Sequence, residues 1–262
     1  MNLQLTDKVA LVTASTGGIG LEIACSLAAE QAIVIINGRS QNSVDSAIQH
    51  TLKKVPIAKL KSLVADNATA EGNTKTINEF PNIDILVNNL GVYESVEFLK
   101  STDEQWQHIM EVNMMSGVRL SRYYLDKMLA VNNGRIVFMS SESAINPAPE
   151  MAHYSATKTM QMSLSRSLAE LTKGSNVTVN AVLPGSTKTE GVKDFVQNLF
   201  PDLDYLDAEK KFMEENRSTS LISRLIEPKE VADFATFICS PLAAAINGSS
   251  LRVDGGIVRS VF

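Results

Sequence analysis

The sequence has few of the residues that mark disulfide-rich or metal-binding proteins. Its two cysteines, Cys25 and Cys239, lie far apart in apolar segments, and neither belongs to a CxxC pair. Isolated thiols of this kind are typical of a reduced compartment and indicate core packing rather than a disulfide. The three histidines, His50, His108 and His153, have no spacing that would hold zinc. We therefore predict no metal site.

Basic clusters are also missing. The formal net charge is −5, and the lysines and arginines are scattered, with no run longer than the pairs Lys53-Lys54 and Lys210-Lys211. Nucleic acids and anionic membranes attract proteins through contiguous basic patches. Because this chain has none, we expect no nucleic-acid partner.

No segment is long and apolar enough to predict a membrane span. The uncharged stretch Phe234–Leu251 is interrupted by Pro241, Asn247 and Gly248, whereas a spanning helix needs about 20 predominantly apolar residues. The first residues, MNLQLTDKVALV, lack the basic start and apolar stretch of a signal peptide. The prediction is a cytoplasmic protein with no membrane partner.

What the sequence does contain is a regular alternation of short apolar runs and helix-like stretches. Continuous apolar runs are typical of strands buried on both faces of a parallel sheet. The runs predicted as strands are Val9–Thr13, Ile33–Asn37, Ser62–Ala65, Ile83–Asn88, Arg135–Ser140, Val177–Leu183 and Ser250–Val253. Two long helical patterns cover Asp103–Leu129 and Met151–Leu171. The alternation predicts an α/β fold: one Rossmann-like domain over residues 1–262, with a doubly wound parallel sheet of about seven strands.

One region interrupts this alternation. From Thr189 to Ile226 the chain shows no strand pattern and mixes charged residues with aromatic and aliphatic ones. Long excursions from a compact domain often cover binding sites. We predict a helical substrate lid at 189–226, with an ordinary pair of surface helices as the alternative.

A glycine-rich turn joins the first strand to the first helix. Residues 13–20 read TASTGGIG. Glycines allow a tight turn and a close approach to a pyrophosphate, while the helix N-terminus supplies free N–H groups and a positive dipole end. A dinucleotide site is therefore predicted at this turn, formed by Ala14, Ser15, Thr16, Gly18, Ile19 and Gly20.

The end of the second strand bears on the choice of dinucleotide. A carboxylate about twenty residues after the glycine turn binds the ribose 2′-hydroxyl of NAD, whereas an arginine accommodates the 2′-phosphate of NADP. Here the chain reads Asn37-Gly38-Arg39-Ser40, with no acidic residue before Asp45. Arg39, with Ser40 beside it, favours NADP(H) over NAD(H). The alternative is that Arg39 is a solvated loop charge.

Several motifs in order resemble the short-chain dehydrogenase/reductase family, and most closely β-ketoacyl-carrier-protein reductases. They are TASTGGIG at 13–20, NNLG at 88–91, YSATK at 154–158, PG at 184–185 and VDGG at 253–256. The resemblance runs from about Leu5 to Gly256. It implies that the cofactor is contacted by Asp66, Asn67, Asn89, Gly91, Tyr154, Lys158, Pro184, Gly185 and Thr187.

The resemblance has two departures. Leu90 replaces a small alanine, and Ala14 replaces the first glycine of the turn. If residue 14 has a positive φ, alanine costs roughly 1–2 kcal/mol there. If its φ is negative, the methyl group only crowds the turn. We expect cofactor binding to survive in both cases.

The stretch HYSATK places Tyr154 and Lys158 four residues apart, on one face of a helix. The resemblance implies that both are catalytic, together with Ser141 and Asn113. Ser140 is the alternative to Ser141. Asn113 is expected to hold a water that links Lys158 to solvent, or else to bend its helix and satisfy backbone groups.

The chemistry of carbonyl reduction requires such groups. Hydride transfer to a ketone builds negative charge on its oxygen, which must receive a proton. A free tyrosine has a pKa of about 10, and the ammonium of Lys158 is expected to lower the pKa of Tyr154. Tyr154 is thus the predicted acid or base, and Ser141 the hydrogen-bond donor to the developing oxyanion.

The sequence therefore predicts an NADP(H)-dependent oxidoreductase that interconverts a carbonyl and a secondary alcohol. Its apolar lid favours a small or medium-sized hydrophobic substrate. The alternatives are a non-catalytic dinucleotide-binding sensor or scaffold, and an epimerase or dehydratase of the same fold. The resemblance also implies a homo-tetramer or homo-dimer, and the apolar tail Ile257–Phe262 fits a buried interface.

Overall fold

The protein, described here by a computed structural model over residues 2–261, has one seven-stranded parallel sheet. Its strands are β1 (Val9–Val12), β2 (Ile33–Gly38), β3 (Lys59–Val64), β4 (Ile85–Asn88), β5 (Gly134–Met139), β6 (Val177–Pro184) and β7 (Ser250–Val253). The strand order is β3-β2-β1-β4-β5-β6-β7, and every pairing is parallel. Each predicted apolar run overlaps a strand, so the fold prediction is confirmed. The predicted tail ends at Phe262, which lies outside the described residues.

Nine α-helices connect these strands within residues 2–261. They are α1 (Gly18–Ala29), α2 (Gln41–Lys54), α3 (Ala70–Glu79), α4 (Asp103–Met110), α5 (Ser116–Ala130), α6 (Ala152–Glu170), α7 (Glu190–Leu199), α8 (Tyr205–Asn216) and α9 (Pro228–Ile238). Helices α1, α2 and α9 cover one face of the sheet, and α3, α5 and α6 cover the other.

The two cores explain why the strands read as continuous apolar runs. Successive side chains of a strand point to opposite faces of the sheet. In β2, Val34 and Ile36 pack into the core beneath α1 and α9, whereas Ile35 packs into the core beneath α5. All three side chains are fully buried. If these strands alternated apolar with polar residues, the polar side chains would lie in one of the two cores.

The sheet has its topological switch between β1 and β4. From β1, the chain builds outward through β2 and β3 on one side and through β4 to β7 on the other. Loops that leave the carboxyl ends of β1 and β4 therefore diverge and open a crevice, which is where ligands bind in open α/β sheets.

The long helix predicted over Asp103–Leu129 is interrupted. A π-helical segment, Glu111–Met115, separates α4 from α5. Such segments carry an extra residue per turn and occur frequently at functional sites. Its central residue, Asn113, is 1% exposed.

Helices α7 and α8 form the insertion predicted at 189–226. They pack on a small core of their own, which includes Val196, Phe212 and Leu225. The two ends of the insertion are held together, because Thr187 pairs with Ile226 as an isolated β-bridge. The insertion is helical as expected, and its action as a lid stays a prediction.

Candidate active site

The glycine turn is fastened to the loop that follows β4. The Thr13 hydroxyl accepts hydrogen bonds from the backbone N–H groups of Asn89 and Leu90, each at 2.9 Å. The Asn89 side-chain amide donates to the carbonyl oxygens of Thr13 and Ala14, at 2.9 and 3.2 Å. A Cβ on Gly20 would lie 2.4 Å from Asn89 Nδ2. Only glycine fits there, and the turn keeps its shape through these contacts.

Ala14 adopts a positive φ of +51°. This is the strained alternative of the two considered for residue 14, since an L-residue with a side chain costs roughly 1–2 kcal/mol in this region. The Ala14 N–H is held by Asn37 Oδ1 at 3.1 Å. Hydrogen bonds on both sides of Ala14 therefore keep it in a conformation that glycine would adopt freely.

Asn37 is a functional residue that the sequence reasoning missed. Besides Ala14, its Oδ1 accepts a hydrogen bond from Asn67 Nδ2 at 3.1 Å, and its Nδ2 donates to the carbonyl oxygens of Leu63 and Ala65. It thus ties the glycine turn to the end of β3. The signal in the sequence was an asparagine at the end of an otherwise aliphatic strand.

The polar side chains of other predicted cofactor residues form hydrogen bonds with neighbouring protein groups. Asn67 is 2% exposed and also accepts a hydrogen bond from the Thr76 hydroxyl at 2.7 Å. The Asp66 carboxylate accepts from the Ala68 N–H, and the Ser15 hydroxyl accepts from the Asn37 N–H. These side chains shape the site from within, so direct contact of their polar atoms with a cofactor stays a prediction.

Arg39 projects from the end of β2 and is exposed. Its guanidinium has no hydrogen bond or ion pair within residues 2–261. Ser40, beside it, is the N-cap of α2, because its hydroxyl accepts from the Ser43 N–H at 3.3 Å. Arg39 is therefore available to a ligand.

A cleft of about 500 Å³ opens at the carboxyl ends of the strands, beneath the insertion. A volume of this size is typical of small-molecule sites. The predicted residues that line it are Ala14, Ile19, Asn89, Gly91, Ser141, Tyr154, Lys158, Pro184, Gly185 and Thr187. The predicted residues outside its lining are Ser15, Thr16, Gly18, Gly20, Arg39, Ser40, Asp66, Asn67 and Asn113. The structure thus brings both halves of the predicted site, the glycine turn and the tyrosine–lysine helix, to one cleft.

Tyr154 lies in this cleft, and burial raises its pKa to about 12. Hydrogen bonding with the Ser141 side chain opposes the increase, and the negative charges of Glu142 and an ionised Tyr93 add to it. The expected lowering of the Tyr154 pKa by Lys158 is therefore wrong for the protein's own groups. Burial is the largest influence on the Tyr154 pKa, and the Lys158 nitrogen lies 5.6 Å from the Tyr154 ring centroid.

Lys158 is itself buried, with 4% exposed, and burial lowers its pKa to about 8. Its Nζ donates to the Met139 carbonyl oxygen at 2.8 Å and to Gln161 Oε1 at 3.3 Å. These bonds fix the amine at the floor of the cleft.

Asn113 holds the loop after β4 against helix α6. Its Oδ1 accepts from the Val92 N–H at 2.8 Å, and its Nδ2 donates to the Val92 carbonyl and to the Thr157 hydroxyl. Its own carbonyl oxygen accepts from Gln161 Nε2 at 2.7 Å. Gln161 therefore bridges Lys158 and Asn113, a link that sequence reasoning missed. Of the two roles considered for Asn113, this geometry favours the structural one.

The two candidate serines after β5 are clearly separated. The Ser140 hydroxyl donates to the Lys158 carbonyl oxygen at 2.8 Å and so anchors α6 to the sheet. The Ser141 hydroxyl accepts from the Ser143 N–H at 3.1 Å and interacts with Tyr154. This placement favours Ser141 as the residue that faces a substrate.

The turn after β6 closes the far wall of the cleft. The Thr187 hydroxyl donates to the Gly185 carbonyl oxygen at 2.9 Å. A Cβ on Gly185 would lie 2.8 Å from the Asp254 carbonyl oxygen, so the PG turn packs directly on the VDGG segment after β7. The motifs at 184–185 and 253–256 are thus two halves of one structure.

Residues 2–261 offer neither a metal-binding cluster nor a membrane-spanning helix. No group of three or more His, Cys, Asp or Glu side chains in this range is arranged to hold a metal ion. Within the same range, no helix combines the length and apolar character needed to cross a bilayer.

Comparison with known proteins gives a consistent family. A family model described as enoyl-(acyl carrier protein) reductase matches residues 13–258. The uncharacterized oxidoreductase YvaG of Bacillus subtilis is 54% identical over 264 residues, which span all of both chains. Dehydrogenase/reductase SDR family member 4 of Sus scrofa is 33% identical over 257 residues, covering 96% of this chain and 88% of that protein.

Solved structures agree with these sequence matches. L-sorbose reductase from Gluconobacter frateurii, solved with NADPH and L-sorbose, superposes with a TM-score of 0.93 at 30% identity, and the match covers all of both chains. A 7α-hydroxysteroid dehydrogenase solved with NADH gives a TM-score of 0.85 at 25% identity, covering 100% of this chain and 98% of that one. The chain belongs to the short-chain dehydrogenase/reductase family, and it is an NAD(P)-dependent oxidoreductase that acts on CH–OH groups.

Proposed function

We propose that this protein reduces a ketone to a secondary alcohol with NADPH, or catalyses the reverse oxidation, with Tyr154 as the proton donor or acceptor. The observation that carries the proposal is the meeting of Ser141, Tyr154 and Lys158 in the cleft that also contains the glycine turn. A phenol, a hydroxyl donor and an amine in one crevice beside the glycine turn are the groups that carbonyl reduction requires.

The glycine positions fit a dinucleotide. A Cβ on Gly91 would lie 3.3 Å from Lys158 Nζ and 3.5 Å from Asn113 Oδ1, so glycine keeps the space in front of the amine open. Helix α1 begins at Gly18 after an N-cap, Gly17, that has no side-chain cap, so its first N–H groups are available to phosphates. Lys158 and Thr187 would hold the nicotinamide half. When bound, the nicotinamide supplies or accepts the hydride.

Arg39 supports NADP(H) over NAD(H). Its exposed, unengaged guanidinium stands where the adenosine ribose is expected, and its fork geometry matches a phosphate. Family relatives have been solved with either dinucleotide, NADPH in the sorbose reductase and NADH in the steroid dehydrogenase. The preference of this chain therefore rests on Arg39.

Tyr154 is suited to act as the acid in reduction. With a pKa raised to about 12 by burial, the phenol keeps its proton at neutral pH and can donate it to the oxygen of a reduced carbonyl. The Ser141 hydroxyl would stabilise negative charge on the same oxygen. Lys158, fixed by Met139 and Gln161, would hold its end of the site rigid while the proton moves.

The test is Tyr154→Phe, which removes the hydroxyl and keeps the ring. We expect NADPH-dependent reduction of ketones to fall by about 10²–10⁴-fold, while NADPH binding measured by fluorescence titration stays within a few-fold of the wild type. Tyr93→Phe is the matched control, because Tyr93 contacts Tyr154 edge-on at 6.3 Å between centroids. Equal turnover in Tyr154→Phe and Tyr93→Phe would contradict the mechanism.

A further inference from the structure

A buried carboxylate stands beside the reacting groups, and the proposed chemistry does not use it. Glu142 directly follows Ser141 and opens the short 3-10 helix Glu142–Ala144. It is 7% exposed and lines the cleft together with Ser141 and Tyr154. Glutamate is rarely buried this deeply without a partner. The burial of Glu142 beside the reacting groups therefore suggests a role in ligand binding.

The carboxylate of Glu142 is nearly without donors. Its single side-chain hydrogen bond within residues 2–261 comes from the Ser143 hydroxyl to Oε1, at a long 3.4 Å. An ionised carboxylate offers about four acceptor positions. Because the carboxylate borders the cleft, a ligand that brings hydrogen-bond donors can fill the acceptor positions that the protein leaves open.

The insertion supplies a positive charge that acts on Glu142, the guanidinium of Arg217, but this group is hydrogen-bonded to other residues. Arg217 donates from Nε to the Ser186 hydroxyl at 2.8 Å and from Nη1 to the Asn216 carbonyl at 2.7 Å, and it lies over the Phe212 ring. It opposes the upward shift that burial gives the pKa of Glu142, while Asp254 adds to that shift. Arg217 therefore favours the ionised carboxylate without filling its acceptor positions.

The available acceptors define what the substrate must carry. A ketone oxygen has no proton to donate, so a simple hydrophobic ketone leaves Glu142 unsatisfied. A hydroxyl on a carbon near the carbonyl would donate to it. The cleft lining carries charges of both signs, with the carboxylates of Glu94, Glu142 and Glu150 and the cationic groups of Lys158 and Arg217. A neutral substrate therefore avoids like-charge repulsion from either set.

We propose that the cleft takes a neutral hydroxy-ketone, or the polyol formed from it, and that Glu142 accepts hydrogen bonds from the substrate hydroxyls. This inference rests on the proposed function for the reaction itself and adds the substrate class. Tyr93, Phe195 and Phe212 then provide the apolar wall for the carbon chain, which accounts for the mixed lining of the cleft.

The test compares two ketones with one skeleton, acetoin and 2-butanone, which differ by one hydroxyl. In Glu142→Gln, we expect kcat/KM for acetoin to fall by about 10- to 100-fold relative to 2-butanone, because a hydrogen bond to a charged group is lost. Because both substrates use Tyr154, the ratio of their kcat/KM values cancels any effect of the substitution on the acidity of Tyr154. Glu79→Gln removes the same charge from an exposed position outside the cleft and should leave the ratio unchanged.

A binding measurement separates this proposal from the reaction. Saturation-transfer NMR with D-sorbitol should give signals in the wild type and in Tyr154→Phe, and weak or no signals in Glu142→Gln. If Glu142→Gln turns over ketones with an unchanged ratio of kcat/KM for acetoin to that for 2-butanone, and its sorbitol signals are also unchanged, the role of Glu142 is overturned. The proposed reductase activity would still stand. Sorbitol signals that depend on Glu142 in a protein without ketone turnover would support the hydroxyl site and overturn the proposed reaction. Glu142→Asp, which keeps the charge, serves if Glu142→Gln fails to fold.

Discussion

Ala14 carries strain that a single substitution should release. Because its φ is +51°, Ala14→Gly removes about 1–2 kcal/mol of backbone strain and gives back part of it through the greater freedom of glycine in the unfolded chain. We expect a net gain of about 0.5–1 kcal/mol in the free energy of unfolding, measured by urea denaturation.

The control for this substitution is Ala68→Gly. Ala68 is half-buried in a loop and is not among the residues with positive φ. There the change should destabilise the protein by up to about 1 kcal/mol. A loss of stability in both variants would show that residue 14 is not strained.

Lys158 should lower the stability of the fold at neutral pH. Its pKa falls from the usual 10.5 to about 8, so charging it in the folded state costs roughly 3 kcal/mol. This loss of stability is fully present below pH 8 and vanishes above pH 10.5, because the lysine of the unfolded chain stays protonated to a higher pH than that of the folded chain. We expect Lys158→Met to be more stable than the wild type at pH 7 by roughly 1–2 kcal/mol after its hydrogen bonds are lost.

The pH dependence is the decisive part of this prediction. The advantage of Lys158→Met in urea unfolding should shrink as pH rises from 8 to 10.5, with Lys173→Met at an exposed position as the control. A constant difference across this range would assign the effect to packing. A site that keeps a costly buried amine is consistent with selection for activity over stability.

Among the elements, the strands were the most predictable. Each is buried on both faces, so its apolar run is continuous and has no helical period. Their ends were less certain: β3 begins at Lys59 rather than Ser62, because its first residues lie on a sheet edge where charged side chains reach water. Strands that are buried on both faces are therefore visible in the sequence as apolar runs, whereas the start of an edge strand is not.

The π-helical segment around Asn113 was not predictable. An apolar stripe reports which face of a helix is buried, and one additional residue in a turn barely changes it. The contacts that stabilise the segment come from elsewhere, from Val92 and from Gln161 on α6. The bridging role of Gln161 was hidden for the same reason, because it depends on the approach of two helices that are distant in sequence.

The insertion is joined to the body of the protein by a partly buried ion pair. Lys188, just after β6, lies 2.8 Å from Glu209 of α8, with side-chain exposures of 23% and 13%. Glu209 also accepts from the Leu225 N–H. We expect a double-mutant cycle with Lys188→Met and Glu209→Gln to give a coupling energy of about 1 kcal/mol in urea unfolding.

A second ion pair on the same insertion provides the comparison. Lys193 and Glu190 of α7 lie 2.7 Å apart, but the Glu190 side chain is 85% exposed. Water screens such a pair, so its coupling should be close to zero. Similar coupling in the two cycles would mean that Lys188 and Glu209 do not anchor the insertion. Faster proteolysis between α7 and α8 in Glu209→Gln would agree with a loosened insertion.

For the protein as a whole, the order of motifs along the chain predicted the fold and the location of the cleft, because carboxyl ends of parallel strands meet at one edge. Sequence did not predict the electrostatics inside the cleft. The pKa of Tyr154 depends first on its own burial and then on the Ser141 and Glu142 side chains beside it, and burial is a property of the assembled domain. Assembly into a dimer or tetramer stays a prediction, for which light scattering is the measurement.

Cofactor preference should be visible in the stability of the entire protein. A net charge of −5 gives no general attraction for an anionic dinucleotide, so we expect any discrimination between NADPH and NADH to come locally from Arg39. A ligand at 100 times its Kd stabilises the folded state by about 2.7 kcal/mol, or roughly 5–10 °C in Tm for a domain of this size. At equal concentrations, we expect NADPH to raise Tm by several degrees more than NADH.

Substitution of Arg39 decides whether this difference has the proposed cause. Arg39→Asp should reverse the order of the two Tm shifts, since a carboxylate repels the 2′-phosphate and binds the 2′-hydroxyl. Arg122→Asp makes the same charge change at another exposed position and should leave the order unchanged. An equal reduction of the NADPH-induced Tm shift in both variants would mean that long-range charge sets the preference. Reversal of the NADPH and NADH order in Arg39→Asp alone would mean that the end of β2 contacts the 2′-position directly.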